Sequence, residues 1–448
     1  MRNLFAILLL FVWSGVASAK GPNVILFYAD DLGIGDVSCY GCTDIQTVHI
    51  DALARTGIRF THYYSAAPVC SPSRAALLTG RYPARAGVPS NVSSSPGHSG
   101  MPTEEVTLAE LAQTRGYATA LIGKWHLGFT YETQPNAQGF DFFFGHHAGC
   151  VDYYSHMFYW QTPHHHDLYR NRQEIHEEGQ YMTDLIAREV TQFIDDHQAE
   201  PFLLYVPFNA PHYPLQAPER FRRMYAHLPQ KRRDYAPLVG AMDDAIGKIM
   251  ARVRHHHLTP NTLVFFMSDN GISVEGRNNG GGGSSGPFRD HKFSLFEGGI
   301  HMPGIVSWPG QIPQGQIRDQ LTMATDVFST LAEAIGADVS KDRIIDGRSW
   351  WPLLRDARAK GHEMLFWEWN KQSAVRAGKW KVTRNALMTP GMDEYVRAKG
   401  DDAIFLADLE ADPGETTNLR HQHPQIAKQL LKQHADWLKT IEPRSPSR

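Results

Sequence analysis

The 448-residue sequence predicts an α/β fold. A large domain is expected, with a mostly parallel sheet flanked by helices, followed by a small C-terminal antiparallel sheet with one helix. Three observations predict it. Apolar runs of strand length alternate with stretches of helix length. Four of those runs end on polar residues with chemical use. Beyond Asp346-Gly347 the runs become short and closely spaced, and a helical stretch returns only at the end.

The elements follow in order. Residues 23–28, Asn-Val-Ile-Leu-Phe-Tyr, form a continuous apolar run that soon meets Asp30-Asp31. A strand buried on both faces reads this way, and parallel sheets bind ligands at the C-terminal ends of their strands. Residues 53–60 read as a helix end followed by an extended segment. Residues 108–115 read as a short helix closed by Gly116. A second buried strand, 118–122, runs into Gly123-Lys124-Trp125-His126. A helix over 182–197 precedes a third strand, 202–206, which ends near Asn209 and His212. A helix over 235–253 precedes a fourth, 263–267, ending at Ser268-Asp269-Asn270. The polar residues at these four strand ends are therefore expected on one rim. Residues 364–369, 373–376, 380–383 and 404–408 read as short strands, and 424–438 as a last helix. The glycine-rich tract 278–286 reads as a mobile loop. The expected division is a signal peptide over 1–19, a large domain over 20–346 and a C-terminal subdomain over 347–448.

Arg2, the apolar run 4–12 and the small residues ending Ala17-Ser18-Ala19 have the order of a secretory signal with an A-x-A cleavage site. The run is too short to span a bilayer, and no later stretch reads as transmembrane. Export is predicted, to the exterior or periplasm (the lysosome in a eukaryote), without a stable membrane anchor. A net charge of -3 gives no basis for nucleic-acid binding. A local cluster of cations on a near-neutral chain still suits an anionic substrate. The four cysteines, Cys39, Cys42, Cys70 and Cys150, are too few for a dense disulfide framework. The C-x-x-C of Cys39 and Cys42 has no second pair to complete a zinc site. A structural thiol pair, or a disulfide involving Cys150, is expected.

The segment VCSPSRAALLTGR, 69–81, places Cys70 before a Ser-Pro-Ser-Arg turn and a run of helix formers. Ser71 is expected to cap the helix and Pro72 to take its first turn. Cys70 then sits at the positive end, where backbone N–H groups favour an anion, with Arg74 one turn on. A cysteine-protease reading would pair Cys70 with His126 or His212, but it gives the acidic clusters no use. Asp30, Asp31, Asp269 and Asn270 are hard oxygen ligands suited to Ca²⁺ or Mg²⁺, and not to zinc. His164 to His166 and His255 to His257 read as solvated loop and helix surface.

These segments, with others, resemble the sulfatase family of the alkaline-phosphatase superfamily. Cys70-Ser71-Pro72-Ser73-Arg74, continuing to Thr79-Gly80-Arg81, matches its signature C-x-P-S-R followed by T-G-R. NVILFYADDLGIGDVSCYG looks like its first strand and metal pair, and GYATALIGKWHLG like its lysine-and-histidine motif. NAPHYPLQAP, VFFMSDNG, FRDHKFSLFEGGIHMPGIVSWPG and LADLEADPGETTNL resemble later motifs in the family's order. The likeness is strongest to the arylsulfatase and glycosaminoglycan-sulfatase branch. It implies a sulfuric ester hydrolase in which Cys70 is oxidised to Cα-formylglycine by a modifying enzyme, and so is kept out of any disulfide. It implies one Ca²⁺ held by Asp30, Asp31, Asp269 and Asn270 together with the modified Cys70. Arg74, Lys124 and Lys292 would neutralise the sulfate, with Asp269 as proton acceptor. His212 would protonate the leaving alcohol and His126 would deprotonate the remaining hydroxyl. Arg289 stands between sulfate-pocket support and plain surface, and Ser155 resembles a substrate-pocket position of some relatives.

Aromatic residues crowd 142–144 and 153–160, and Trp367 and Trp369 lie near the C-terminus. The phenylalanines are expected in the core, while tyrosine and tryptophan at a cleft rim suit stacking on sugar rings. A sulfated carbohydrate, or another sulfated small molecule, is the expected substrate. The alternatives are a phosphate or phosphonate monoester hydrolase of the same superfamily and a catalytically silent binder of sulfated glycans.

Overall fold

The computed structural model describes residues 21–391 and 394–441. The signal-peptide reading of 1–19 lies outside these residues.

The first strand, Asn23–Ala29, is buried throughout and occupies the middle of an eleven-stranded sheet. It pairs in parallel with Thr262–Ser268 on one side and Phe202–Pro207 on the other. Ala118–Lys124 and Phe142–His146 continue the parallel set outward. His301–Ser307 and Gly57–Tyr64 extend the opposite side as antiparallel neighbours. Side chains alternate across a strand, so one buried strand serves two layers. Val24, Leu26 and Tyr28 enter one apolar core, and Ile25, Phe27 and Ala29 enter another. The first core is closed by the helices Cys70–Thr79, Leu108–Gln113 and Asp326–Ile335. The second is closed by Val48–Arg55, Met182–His197 and Gln230–His255. This two-sided burial explains the uninterrupted apolar runs. Among the described residues no helix is long and apolar enough to cross a membrane.

The helices begin and end for local reasons. Thr107 forms a capping box with Glu110 at the start of Leu108–Gln113. The helix Cys70–Thr79 closes on Gly80, whose φ of 69° is the left-handed conformation glycine adopts at little cost. Its start differs from expectation. Val69 is the N-cap, without a side-chain bond, and Cys70 is the first helical residue. Ser71 does not cap. Its hydroxyl accepts from the Val92 N–H, and its own N–H donates to Asn91 Oδ1, tying the helix to the segment beside it.

The second sheet is antiparallel, in the order Met364–Trp369, Gln372–Ala377, Trp380–Arg384, Ile404–Asp408. Helix Pro424–Leu438 covers it through Ala427 and Leu430, which meet Val375, Val382 and Leu406. A charged cluster joins the two sheets. Lys381 is fully buried, with its Nζ 2.9 Å from Glu297 and 3.1 Å from Glu415. His301 bonds the same Glu297 at 2.8 Å. Burial opposes charge on both carboxyls; Lys381 and His301 nevertheless hold Glu297 below its ordinary range, while Glu415 is pushed above it. Removing one member of a buried charged set strands the others, at a cost of about 3–5 kcal/mol. Lys381→Ala should therefore lower the midpoint of urea unfolding by that equivalent. A midpoint shift under about 1 kcal/mol would show that the cluster is not a structural joint.

Several peripheral readings change. The glycine tract packs instead of projecting: a Cβ on Gly283 would meet Ile272, Asp36 and Tyr235 within 3.0 Å, and one on Gly282 would meet the Lys231 carbonyl. All four cysteines are free thiols, so the disulfide alternative involving Cys150 is not formed. Cys42 instead lies against Asp44 and Arg232, and Cys150 is buried elsewhere. Trp367 is core, its indole N–H donating to the Ser65 carbonyl. Tyr153 is also core, stacked on Tyr181. His164, His255 and His257 are exposed, but His165 packs against Phe129 and Phe158, and His166 bonds Glu174 at 2.9 Å.

Candidate active site

The parallel register aligns Ala29 with Ser268, so the residues that follow each strand emerge side by side. Asp269 N donates to the Ala29 carbonyl, and Asp31 N donates to Asp269 Oδ1 at 3.1 Å. Asp31 has φ 63°, a strained conformation for a non-glycine residue, and a carboxylate oxygen of each of Asp30 and Asp31 lies within 4.8 Å of the other. Asp30, Asp31, Asp269 and Asn270 are all buried.

Each carboxylate meets a cation from another element. Lys124 Nζ, at the end of its strand, donates to Asp30 at 2.7 Å. Lys292 Nζ reaches Asp31 at 2.8 Å. Arg74 donates to Asp269 at 2.8 Å and to the Lys124 carbonyl at 3.1 Å. Lys124, Arg74 and Lys292 are buried, unlike the solvated lysines that composition alone would suggest. Burial resists charge on Asp31, yet Lys292, His212 and Lys124 hold its carboxyl below the usual range. Burial and the neighbouring Asp30 push Asp269 up.

Cys70 Sγ faces this cluster, 3.7 Å from Asp30 Oδ1. Burial pushes its thiol up to about 12, against the pull of Lys124 and Lys292. The helix start therefore does not offset burial, which counts against the cysteine-protease reading. His212 Nε2 lies 3.6 Å from Asp31, while its Nδ1 donates to the Tyr213 carbonyl at 2.8 Å. The proton on Nδ1 leaves Nε2 as the atom presented to the site. Burial drives His212 below its ordinary value, with Asp31 opposing. His126 follows Lys124 by two residues, has φ 56°, and keeps a buried Nδ1 without a partner.

Asn270 Nδ2 donates to Asp31 Oδ1 and the Gly271 carbonyl, but its Oδ1 is buried and accepts from nothing. Three carboxylates and one idle amide oxygen form a hard donor set that fits Ca²⁺. Cys70 and His212 lie within the same 4.8 Å grouping as Asp30 and Asp31. Asp30, Asp31 and Asp269 are balanced by Arg74, Lys124 and Lys292, so a divalent cation would leave the site positive and receptive to an anion.

A cavity of about 430 Å³ opens beside the cluster. Cys70, His126, His212 and Lys292 line it, whereas Arg74 and Lys124 lie outside its lining. Of its other walls, Trp160 belongs to the aromatic cluster expected at a cleft rim, and most of the rest were not foreseen. The other walls include the segment Asn91 to Ser94, Cys150, Trp160, Tyr213 and Arg277. Ser71 already binds Asn91 and Val92, and Ser94 Oγ accepts from Gly149 N. Tyr213 also had a signal, through its neighbour His212. Ser155 is not among the lining residues; its N–H donates to Asp152. Arg289 lies on Phe296 and Phe405 and donates to the Glu415 carbonyl, so it supports the junction of the two sheets.

Carboxylates and cations gathered at the strand ends of an α/β sheet, beside a cavity, suit chemistry on an anionic substrate. Comparison with known proteins gives the family. The sulfatase profile matches residues 22–337, and that of the N-sulphoglucosamine sulphohydrolase C-terminal region matches 285–440. Human (Homo sapiens) steryl-sulfatase is 33% identical over 440 residues, covering 80% of this chain and 74% of that protein. The N-acetylgalactosamine-6-sulfatase of Sus scrofa is 35% identical over 396 residues, covering 82% and 73%. Among solved structures, Ps i-CgsB in complex with k-i-k-neocarrahexaose superposes with a TM-score of 0.83 at 30% identity, covering 94% of each chain. The chain belongs to the sulfatase family and is a sulfuric ester hydrolase.

Proposed function

We propose that this enzyme hydrolyses the sulfate esters of a carbohydrate, using a formylglycine made from Cys70 and one Ca²⁺. The observation that carries the reading is Cys70 facing buried Asp30, beside an Asn270 oxygen that has no partner. A soft thiol is a poor companion for hard carboxylates, whereas an oxygen at that position suits them. Formylglycine would supply a hydrated aldehyde: one hydroxyl as the nucleophile, the other as the means of expelling sulfate. Ca²⁺ held by Asp30, Asp31, Asp269 and Asn270, with the modified Cys70, would supply Lewis acidity at a sulfate oxygen.

The chain's own residues do the rest. Lys124, Lys292 and Arg74 neutralise the sulfate and the charge that develops on it. Asp269, whose carboxyl is pushed up by burial and Asp30, takes the nucleophile's proton. His212 gives a proton from Nε2 to the departing alcohol. Burial, Lys292 and Lys124 oppose its charged form, and Asp31 and the incoming sulfate favour it. His126 takes the proton of the remaining hydroxyl when sulfate is released.

A carbohydrate fits the cavity better than a sterol. Asn91, Ser93, Ser94 and Gln161 line it with hydrogen-bonding groups. The names of the N-acetylgalactosamine-6-sulfatase and the neocarrahexaose complex point the same way. The 1–19 segment supports export, where a modifying enzyme would act on Cys70 before folding. We also propose a division at 346/347, which leaves all four strands of the second sheet, from Met364 onward, in the C-terminal part.

Turnover of sulfate and phosphate monoesters of the same alcohol by purified protein tests the reading. Sulfate should be preferred by a wide margin; a preference for phosphate would reassign the enzyme. A phosphonate monoester hydrolase of Agrobacterium radiobacter shares the fold, with a TM-score of 0.65 at 20% identity, so fold alone does not discriminate. Removing Ca²⁺ with a chelator should abolish turnover, and adding Ca²⁺ should restore it better than Mg²⁺. Unchanged activity in the chelated protein would count against a resident cation.

A further inference from the structure

Arg277 lies in the cavity wall, outside the sulfate-binding group. Its guanidinium sits 3.3 Å from the centroid of the Trp160 ring and 4.8 Å from that of Tyr213. Glu275 pairs with one terminal nitrogen and is itself held by the Ser273 hydroxyl at 3.0 Å. Nε is buried and has no partner. A guanidinium packed against two rings and braced at one end is held in place, and its planar fork matches a carboxylate or sulfate. Surface arginines pay entropy to adopt one geometry; this one has already paid it.

Its position relative to the reacting centre gives the meaning. Tyr213 follows His212, and the same ring lies 6.0 Å from Lys292 Nζ. Arg277 and Lys292 thus both approach the same aromatic ring, and both line the cavity. The lining carries these two cations and the histidines, and no carboxylate. Trp160 is 46% exposed, so part of its ring is open to a sugar.

We propose that Arg277, oriented by Trp160 and Tyr213, is a specificity-determining residue that binds a second oxyanion on the substrate, a uronate carboxylate or a second sulfate next to the one cleaved. This rests on the sulfatase reading and narrows it to polyanionic saccharides. The test uses four substrates: 4-nitrophenyl sulfate, a monosulfated neutral sugar, its disulfated counterpart, and a sulfated disaccharide containing a uronate. The wild-type enzyme should prefer one of the two doubly anionic sugars, and which one identifies the oxyanion. Arg277→Gln should raise KM for that substrate about 10- to 100-fold more than for the monosulfated sugar, since a charge-assisted bond contributes about 1.5–3 kcal/mol. The effect should lie in KM and not kcat. Arg277→Lys, which keeps charge but loses the fork, should recover only part. Turnover of 4-nitrophenyl sulfate reports that each variant is folded. Equal losses on all four substrates, or no wild-type preference for a second anion, overturn the proposal. Failure of the wild type on every sulfate ester would instead overturn the sulfatase reading.

Discussion

Cys70→Ala is expected to abolish turnover of every sulfate ester while leaving the protein folded. The side chain is buried, and what it loses is one Sγ beside Asp30. That small cavity costs about 1 kcal/mol, too little to unfold a domain of this size. Loss of a nucleophile, by contrast, lowers kcat by about 10⁴-fold or more. The loss should be equal for 4-nitrophenyl sulfate and for sulfated sugars, because the nucleophile is common to both. Cys70→Ser sharpens the point. It offers a plain hydroxyl, which can accept sulfate but has no second hydroxyl to expel it. A first turnover followed by a stall is expected, visible as a retained sulfate in the mass of the 70–81 peptide. Mass spectrometry of the same peptide from active wild-type protein should show the aldehyde or its hydrate. Full activity in protein whose Cys70 is a fully alkylatable thiol would overturn the assignment.

The sequence carried the sheet because burial on two faces leaves a direct trace. A run such as 23–29 has nowhere to place a polar side chain until the strand ends, so Asp30 and Asp31 mark the rim. The helix Met182–His197 and the last helix Pro424–Leu438 were legible at their limits for the complementary reason: each buries one stripe and wets the other. Lys124 and Lys292 show the boundary of this legibility. Their motifs suggested a sulfate contact, but burial against Asp30 and Asp31 is a tertiary fact that no local pattern encodes. Ser71 was misread because a serine before proline looks like a cap, while the contact it makes lies twenty residues away, at Asn91. Arg277 left no trace at all. It sits beside a glycine-rich tract, and its partners Trp160 and Tyr213 are far apart in the chain. Local propensity identifies elements; the long-range pairs that shape a pocket become visible only when the elements are packed.

His212→Ala should discriminate between substrates by their leaving groups. A sugar hydroxyl has a high pKa and departs badly as an alkoxide, so it needs a proton in the transition state. A nitrophenolate departs without help. General acid catalysis contributes about 10²–10⁴-fold, and that factor should be lost on sulfated sugars and largely absent from 4-nitrophenyl sulfate. The geometry favours His212 for this work: Nδ1 is committed to the Tyr213 carbonyl, and Nε2 faces the site 3.6 Å from Asp31. Lys292 provides the contrast. It pairs with Asp31 and lines the same cavity, and its proposed contact is the sulfate that both substrates share. Lys292→Ala should therefore slow the two substrates by similar factors, as should Lys124→Ala. His126→Ala should also affect both, because its proposed proton transfer follows departure of the alcohol. A His212→Ala enzyme that loses the same factor on both substrates would remove the acid role from His212. Leaving-group dependence confined to His126→Ala would transfer that role to His126.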